Sequence, residues 1–181
     1  MIRTILASTA LFMAAPALAQ TAPSSFHPGP LIADYGPIAD VEVSAPLPAD
    51  ASFKVAFDLM DAGTADAPNR GLVSLARFLN MHVAAGVPEA NLRLAVVVHG
   101  PAGVDLTQDA FYGAQHDGAA NPNADLIAQL QAHGVRVILC GQSAAASGIA
   151  RADLLPGVEM ALSAMTAHAL LQQDGYTLNP F

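Results

Sequence analysis

The sequence predicts an α/β domain built on a parallel sheet with helices on both faces. Two continuous apolar runs, Leu92 to Val98 and Val135 to Leu139, have the pattern of strands buried on both sides. Segments of helical periodicity separate them, and strand and helix patterns alternate along most of the chain. Composition agrees. Of 181 residues, 53% are hydrophobic and 12% are charged, which suits a core of small and aliphatic side chains and not a disordered chain.

The chain opens on Met1-Ile2-Arg3, an apolar run from Ile5 to Ala15, and Ala17-Leu18-Ala19 before Gln20. A basic start, a short apolar stretch and a small-x-small site predict a secretory signal over residues 1–19, cleaved on export to the periplasm or beyond. The run is too short to span a bilayer, and no second stretch of spanning length follows. Residues 20–50 hold Pro23, Pro28, Pro30, Pro37, Pro46 and Pro48, a density that neither helix nor central strand accepts. Leu31, Ile32, Tyr35 and Ile38 suggest an extended arm laid over the domain or a neighbouring subunit; the alternative is a loose linker left after cleavage. The regular domain is expected over residues 51–181.

Its elements follow in order. Phe53 to Leu59 is rich in β-formers and reads as a strand, and Asp61 to Pro68 reads as a turn. Pro68 suits the first turn of a helix with Leu72, Leu75, Ala76, Leu79 and Val83 on one face, stopped by Gly86 and Pro88. The strand Leu92 to Val98 ends at His99-Gly100-Pro101, and Asp105 to Ala120 reads as polar loop. Asn121 can cap the next helix, with Pro122 at its first position, Leu126, Ile127 and Leu130 inward and Gly134 as stop. Val135 to Leu139 leads into Cys140. Ser143 to Ser147 is a helical turn, Val158 to Leu162 a short strand, Ser163 to Asp174 the last helix, and Tyr176-Thr177-Leu178 a final strand.

In a parallel sheet, function gathers at the carboxyl ends of the strands. His99 and Cys140 both occupy such ends. Cys140 is the single cysteine, so no intramolecular disulfide is available. Gly141-Gln142-Ser143 after it can start a helix and turn backbone amides towards the sulfur, which favours thiolate and suits persulfide or thiol-exchange chemistry. A buried structural cysteine is the alternative. Cys140-Gly141-Gln142-Ser143 also spells C-x-x-S, but it follows a late strand and not the early one of thioredoxin-like folds. His99 is a candidate to lower a thiol pKa or shuttle a proton, or it is simply a loop histidine. His82, His99, His116 and His133 recur every 17 residues without any close ligand pair, so no metal is expected. Glycine-rich nucleotide loops and nucleophile elbows are missing from the sequence, and no cofactor is expected. A formal net charge of −8 with 7 Lys and Arg argues against nucleic acid and anionic membranes as partners.

Val97-Val98-His99-Gly100-Pro101-Ala102, Asn121-Pro122-Asn123, Gly134-Val135 through Leu139-Cys140-Gly141-Gln142-Ser143, and Leu162-Ser163-Ala164-Met165-Thr166 resemble the DsrE/DsrF-like family, closest to its exported branch. The resemblance covers about residues 53–178. It implies a three-layer α/β/α fold on a largely parallel five-stranded sheet, and a homo-oligomer, trimeric or hexameric. It further implies sulfur relay, with a persulfide on the cysteine that follows a central strand, a place matched by Cys140. The expected site is Cys140 as sulfur acceptor, His99 as modulator, and Gly141, Gln142 and Ser143 around the substrate. The sulfur donor and acceptor are not implied. A binding or assembly module of the same fold and a monothiol redox protein are the competing functions.

Overall fold

The computed structural model describes residues 25–179. The expected signal, residues 1–19, lies outside the described residues. Five parallel strands form the sheet: β3 (Phe53–Leu59), β4 (Leu92–Val98), β5 (Arg136–Cys140), β6 (Glu159–Ala161) and β7 (Thr177–Asn179). Their order is β6-β5-β4-β3-β7, so both edge strands have only three residues. A two-stranded antiparallel ribbon, β1 (Phe26–His27) and β2 (Ile38–Ala39), stands apart from it.

Alternation along the strands divides the core in two. On one face Val55, Phe57, Leu94, Val96, Val137 and Leu139 pack with Leu72, Leu75 and Leu79 of α1 (Arg70–Ala84) and Leu126, Ile127 and Leu130 of α3 (Ala124–Ala132). On the other, Ala56, Ala95, Val97 and Ile138 pack under Ala167 and Leu171 of α5 (Ala164–Gln173) and beside Tyr176. This is the three-layer α/β/α architecture. The short α2 (Asp109–Gln115) and α4 (Gly141–Ser147) follow β4 and β5 on the carboxyl side.

Residues 26–39 run across α1. Between β1 and β2, Ile32 is fully buried, and the Asn80 side chain of α1 holds the backbone around it. Asn80 Oδ1 accepts from the amides of Leu31 (3.1 Å) and Ile32 (2.9 Å). Its Nδ2 donates to the carbonyls of Ile32 (2.9 Å), Tyr35 (3.0 Å) and Gly36 (3.1 Å). Asn80 itself is fully buried.

The core strands fall where the sequence puts them, but several boundaries differ. Asn69, not Pro68, begins the first helix, because its side chain accepts from the Gly71 amide at 2.8 Å. The Asp105 to Ala120 stretch is not all loop. A 3-10 segment occupies Gly100–Leu106, and α2 buries Tyr112 completely. The helix expected from Pro122 starts at Ala124. Asn121 instead folds back, its Oδ1 accepting from the Asn123 amide (2.9 Å) and its Nδ2 donating to the carbonyls of Asp105 and Thr107 (2.9 and 2.6 Å). It ties the loop down and does not cap the helix.

Candidate functional site

Strand parity builds the site. Asp58 lies two residues beyond Ala56, His99 two beyond Val97 and Cys140 two beyond Ile138, so all three share the face covered by α5. The register pairs Asp58 with Val97 and Val97 with Ile138, placing His99 and Cys140 one step further towards the carboxyl edge. There α5 adds His168. A cleft of about 340 Å³ results, lined by Asp58, His99, Cys140, Ser143 and His168 together with Gln142 and the Ser163–Met165 start of α5. Leu162 and Met165 stand largely exposed beside it.

Cys140 is 5% exposed and forms the junction between β5 and α4. Burial pushes its thiol up. The Ser143 hydroxyl and the backbone amides of Ser143, Ala164 and Gln142 outweigh that and hold it below the ordinary thiol value. Ser143 is itself oriented. Its Oγ accepts from the Gly100 amide at 2.9 Å, which leaves the hydroxyl proton for the sulfur. Gly100 adopts φ +56°, a conformation that glycine tolerates and that aims this amide across from the end of β4.

Of the residues expected at the site, Cys140, His99, Gln142 and Ser143 meet in the cleft. Gly141 is not among its lining residues. A side chain there would meet the Ala161 carbonyl oxygen at 2.6 Å, so glycine lets α4 start hard against β6. The Gln142 side chain donates to the Leu162 carbonyl at 3.2 Å, and Gln142 meets the sulfur through its backbone amide.

Sequence reasoning missed Asp58 and His168. Asp58 Oδ1 accepts from His168 Nε2 at 2.7 Å, and both its oxygens accept from His99 Nε2, at 3.2 and 3.1 Å. Burial pushes the Asp58 carboxyl up, but the two imidazoles win and hold it below the usual carboxylate range. One signal for Asp58 was available: a carboxylate one residue from the end of an apolar strand, in phase with Ala56. His168 offered none. The other evenly spaced histidines do not join His99: His82 stacks on Phe78, His116 on Tyr112, and His133 pairs with Glu89. Among the described residues, no three His, Cys, Asp or Glu side chains form a group that could hold a metal ion.

Solved structures that share the fold include two proteins of low sequence identity. The protein of unknown function MTH1491 from Methanobacterium thermoautotrophicum is 20% identical with a TM-score of 0.51, over 72% of this chain and 100% of its own. The ychN protein from E. coli is 20% identical with a TM-score of 0.52, over 71% of this chain and 99% of its own. No curated protein matches the chain. The family model described as DsrE/DsrF-like family matches residues 54–180, from the second residue of β3 to beyond β7. With that match spanning the whole sheet, the chain belongs to the DsrE/DsrF-like family.

Proposed function

We propose that this chain is an exported sulfur carrier that holds sulfane sulfur as a persulfide on Cys140. The observation that carries the reading is the placement of Cys140 in a cleft that Gln142, Ser143 and Ala164 also line, groups that together hold its thiol below the ordinary value. That setting favours thiolate, and thiolate is the form that attacks a sulfane sulfur. Family membership supports a protein of the sulfur-relay type at that coarser level. His99, in the same cleft, modulates the chemistry. Export rests on the residues before Gln20, and amino-terminal sequencing of the exported protein should begin at or near Gln20; an intact Met1 would oppose it. A homo-oligomer, trimeric or hexameric, rests on apolar surface left uncovered in one chain, including Val41 and Val43 of the arm. Light scattering on full-length and arm-deleted protein tests it, and a monomer in both forms would end that part of the proposal.

Incubating the native protein with polysulfide should add one or more sulfur masses to the wild type and none to Cys140→Ser. The 5% exposure of Cys140 favours one competing reading, a binding or assembly module with a structural cysteine. A thiol that takes no sulfur while folded and reacts only after denaturation would establish that module instead.

A further inference from the structure

The sulfur-carrier reading leaves Asp58 and His168 without a task, yet Asp58 bridges the two imidazoles of the cleft, at 2.7 Å from His168 Nε2 and 3.1 Å from His99 Nε2. A carboxylate held ionised can only accept hydrogen bonds. Each imidazole therefore keeps a proton on Nε2, directed at Asp58, and Nδ1 is the remaining nitrogen of each ring. The two rings are not equivalent. His168 Nδ1 is buried without a hydrogen-bond partner among the described residues, and the His168 side chain is 15% exposed. The His99 side chain is 25% exposed and lines the cleft from the same sheet face as Cys140.

Resting on the sulfur-carrier reading, we propose that Asp58, braced by His168, sets His99 as the acid that protonates the departing sulfur when sulfur passes to Cys140. His99 is then the catalytic residue, and Asp58 and His168 are positioning residues. The donor class is an alkyl persulfide, R–S–S⁻, whose thiol leaves poorly without a proton. The Cys140 thiolate attacks the terminal sulfur and a new S–S bond forms to Sγ. The donor's S–S bond breaks, and its electron pair stays on the inner sulfur. That sulfur takes the proton of imidazolium His99 and departs as R–SH. Cys140 ends as a persulfide anion, His99 ends neutral, and net charge is conserved without any oxidant or reductant. An imidazolium beside the cleft also offsets the repulsion between the two approaching anions.

Geometry of this kind acts through the leaving group, and a purely structural role would not. The test compares two reagents on the intact protein. Glutathione persulfide expels a basic thiolate, whereas methyl methanethiosulfonate expels a sulfinate that needs no proton. The ratio of the persulfide rate to the thiosulfonate rate should fall about 100-fold in His99→Gln, the lower end of general acid catalysis, and at least about 10-fold in Asp58→Asn, where the imidazole remains but loses its anchor. Asp58→Asn should lower that ratio no further in a His99→Gln background, since the two act as one unit. If Asp58→Asn does not reach the native circular dichroism spectrum, His168→Gln replaces it on the same ratio. A wild type that takes sulfur, with ratios within about twofold of it in the variants, would overturn this inference alone. A wild type that takes no sulfur from the persulfide would remove the sulfur-carrier reading beneath it.

Discussion

Replacing Asn80 with alanine should loosen the arm from the domain, and the structure sets the scale. Three of the five hydrogen bonds made by the Asn80 amide are buried: those to the Ile32 amide, the Ile32 carbonyl and the Gly36 carbonyl. An alanine leaves these backbone groups without partners. Each such orphan costs about 1–3 kcal/mol. A water entering the vacated space can recover part of this, since one water occupies about 30 Å³ and needs two or more polar partners. The expected loss is therefore about 3 kcal/mol, the floor of the three-orphan sum, or roughly a hundredfold in the docking equilibrium. Gly29 and Gly36 fit the same account, because a Cβ at either would fall within 2.1 Å of Asn80 or 2.2 Å of the Arg77 amide. Urea unfolding gives the global change, and amide exchange at Ile32 reports the arm separately. If the arm detaches before the domain unfolds, exchange at Ile32 accelerates more than the global loss requires. A loss below about 1 kcal/mol, with Ile32 exchange unchanged, would refute the reasoning. Asn80→Asp should be worse than alanine, because it sets a carboxylate oxygen against three carbonyl oxygens.

Three further outcomes concern the cleft. Gly141→Ala should destabilise the fold by about 1–3 kcal/mol, because the new Cβ meets backbone at Ala161 that cannot rotate aside; an unchanged urea midpoint would contradict this. Ser143→Ala removes the leading group that favours the Cys140 thiolate, so the midpoint of iodoacetamide alkylation against pH should move upward. A midpoint that stays or falls would show that the hydroxyl does not act on the sulfur. Asp58 is held below its usual range when folded, so it contributes stability above the unfolded carboxyl value of about 3.9 and loses it as pH falls further. Wild-type stability should therefore decline more steeply than that of Asp58→Asn between about pH 5 and pH 2, and parallel declines would refute the assignment.

The legible parts of the fold were those whose signal is local. Leu92 to Val98 is a buried strand because nothing but its Arg93 is polar, and Gly86 ends α1 because helix stops are written within a few residues. The α2 helix was illegible because tertiary contacts hold its seven residues. The Gln108 side chain before it donates to the carbonyls of Ala152 and Leu154, and Asp109 accepts from the Asn121 amide. Part of the candidate site was legible for the same reason. Cys140 and His99 end strands, and strand ends can be read from hydrophobic runs. The pair behind His99 could not be read. Asp58 and His168 are 110 residues apart and meet only through sheet register and the docking of α5, neither of which leaves a mark in local periodicity.

Strand order also decides when the site becomes competent. The first long strand, β3, lies between β4 and β7, so one of its edges stays open until Thr177–Asn179 arrives. Closing a pairing across about 120 residues is entropically expensive and slow, which makes it a late event in folding. The same carboxyl-terminal stretch delivers the Ala164 amide that faces Cys140 and the His168 that braces Asp58. A chain that has not yet docked this stretch thus has a cleft without the Ala164 amide and without the His168 imidazole. The cleft is complete only when the last helix and strand are in place, so its full geometry is withheld from unfinished forms of the chain.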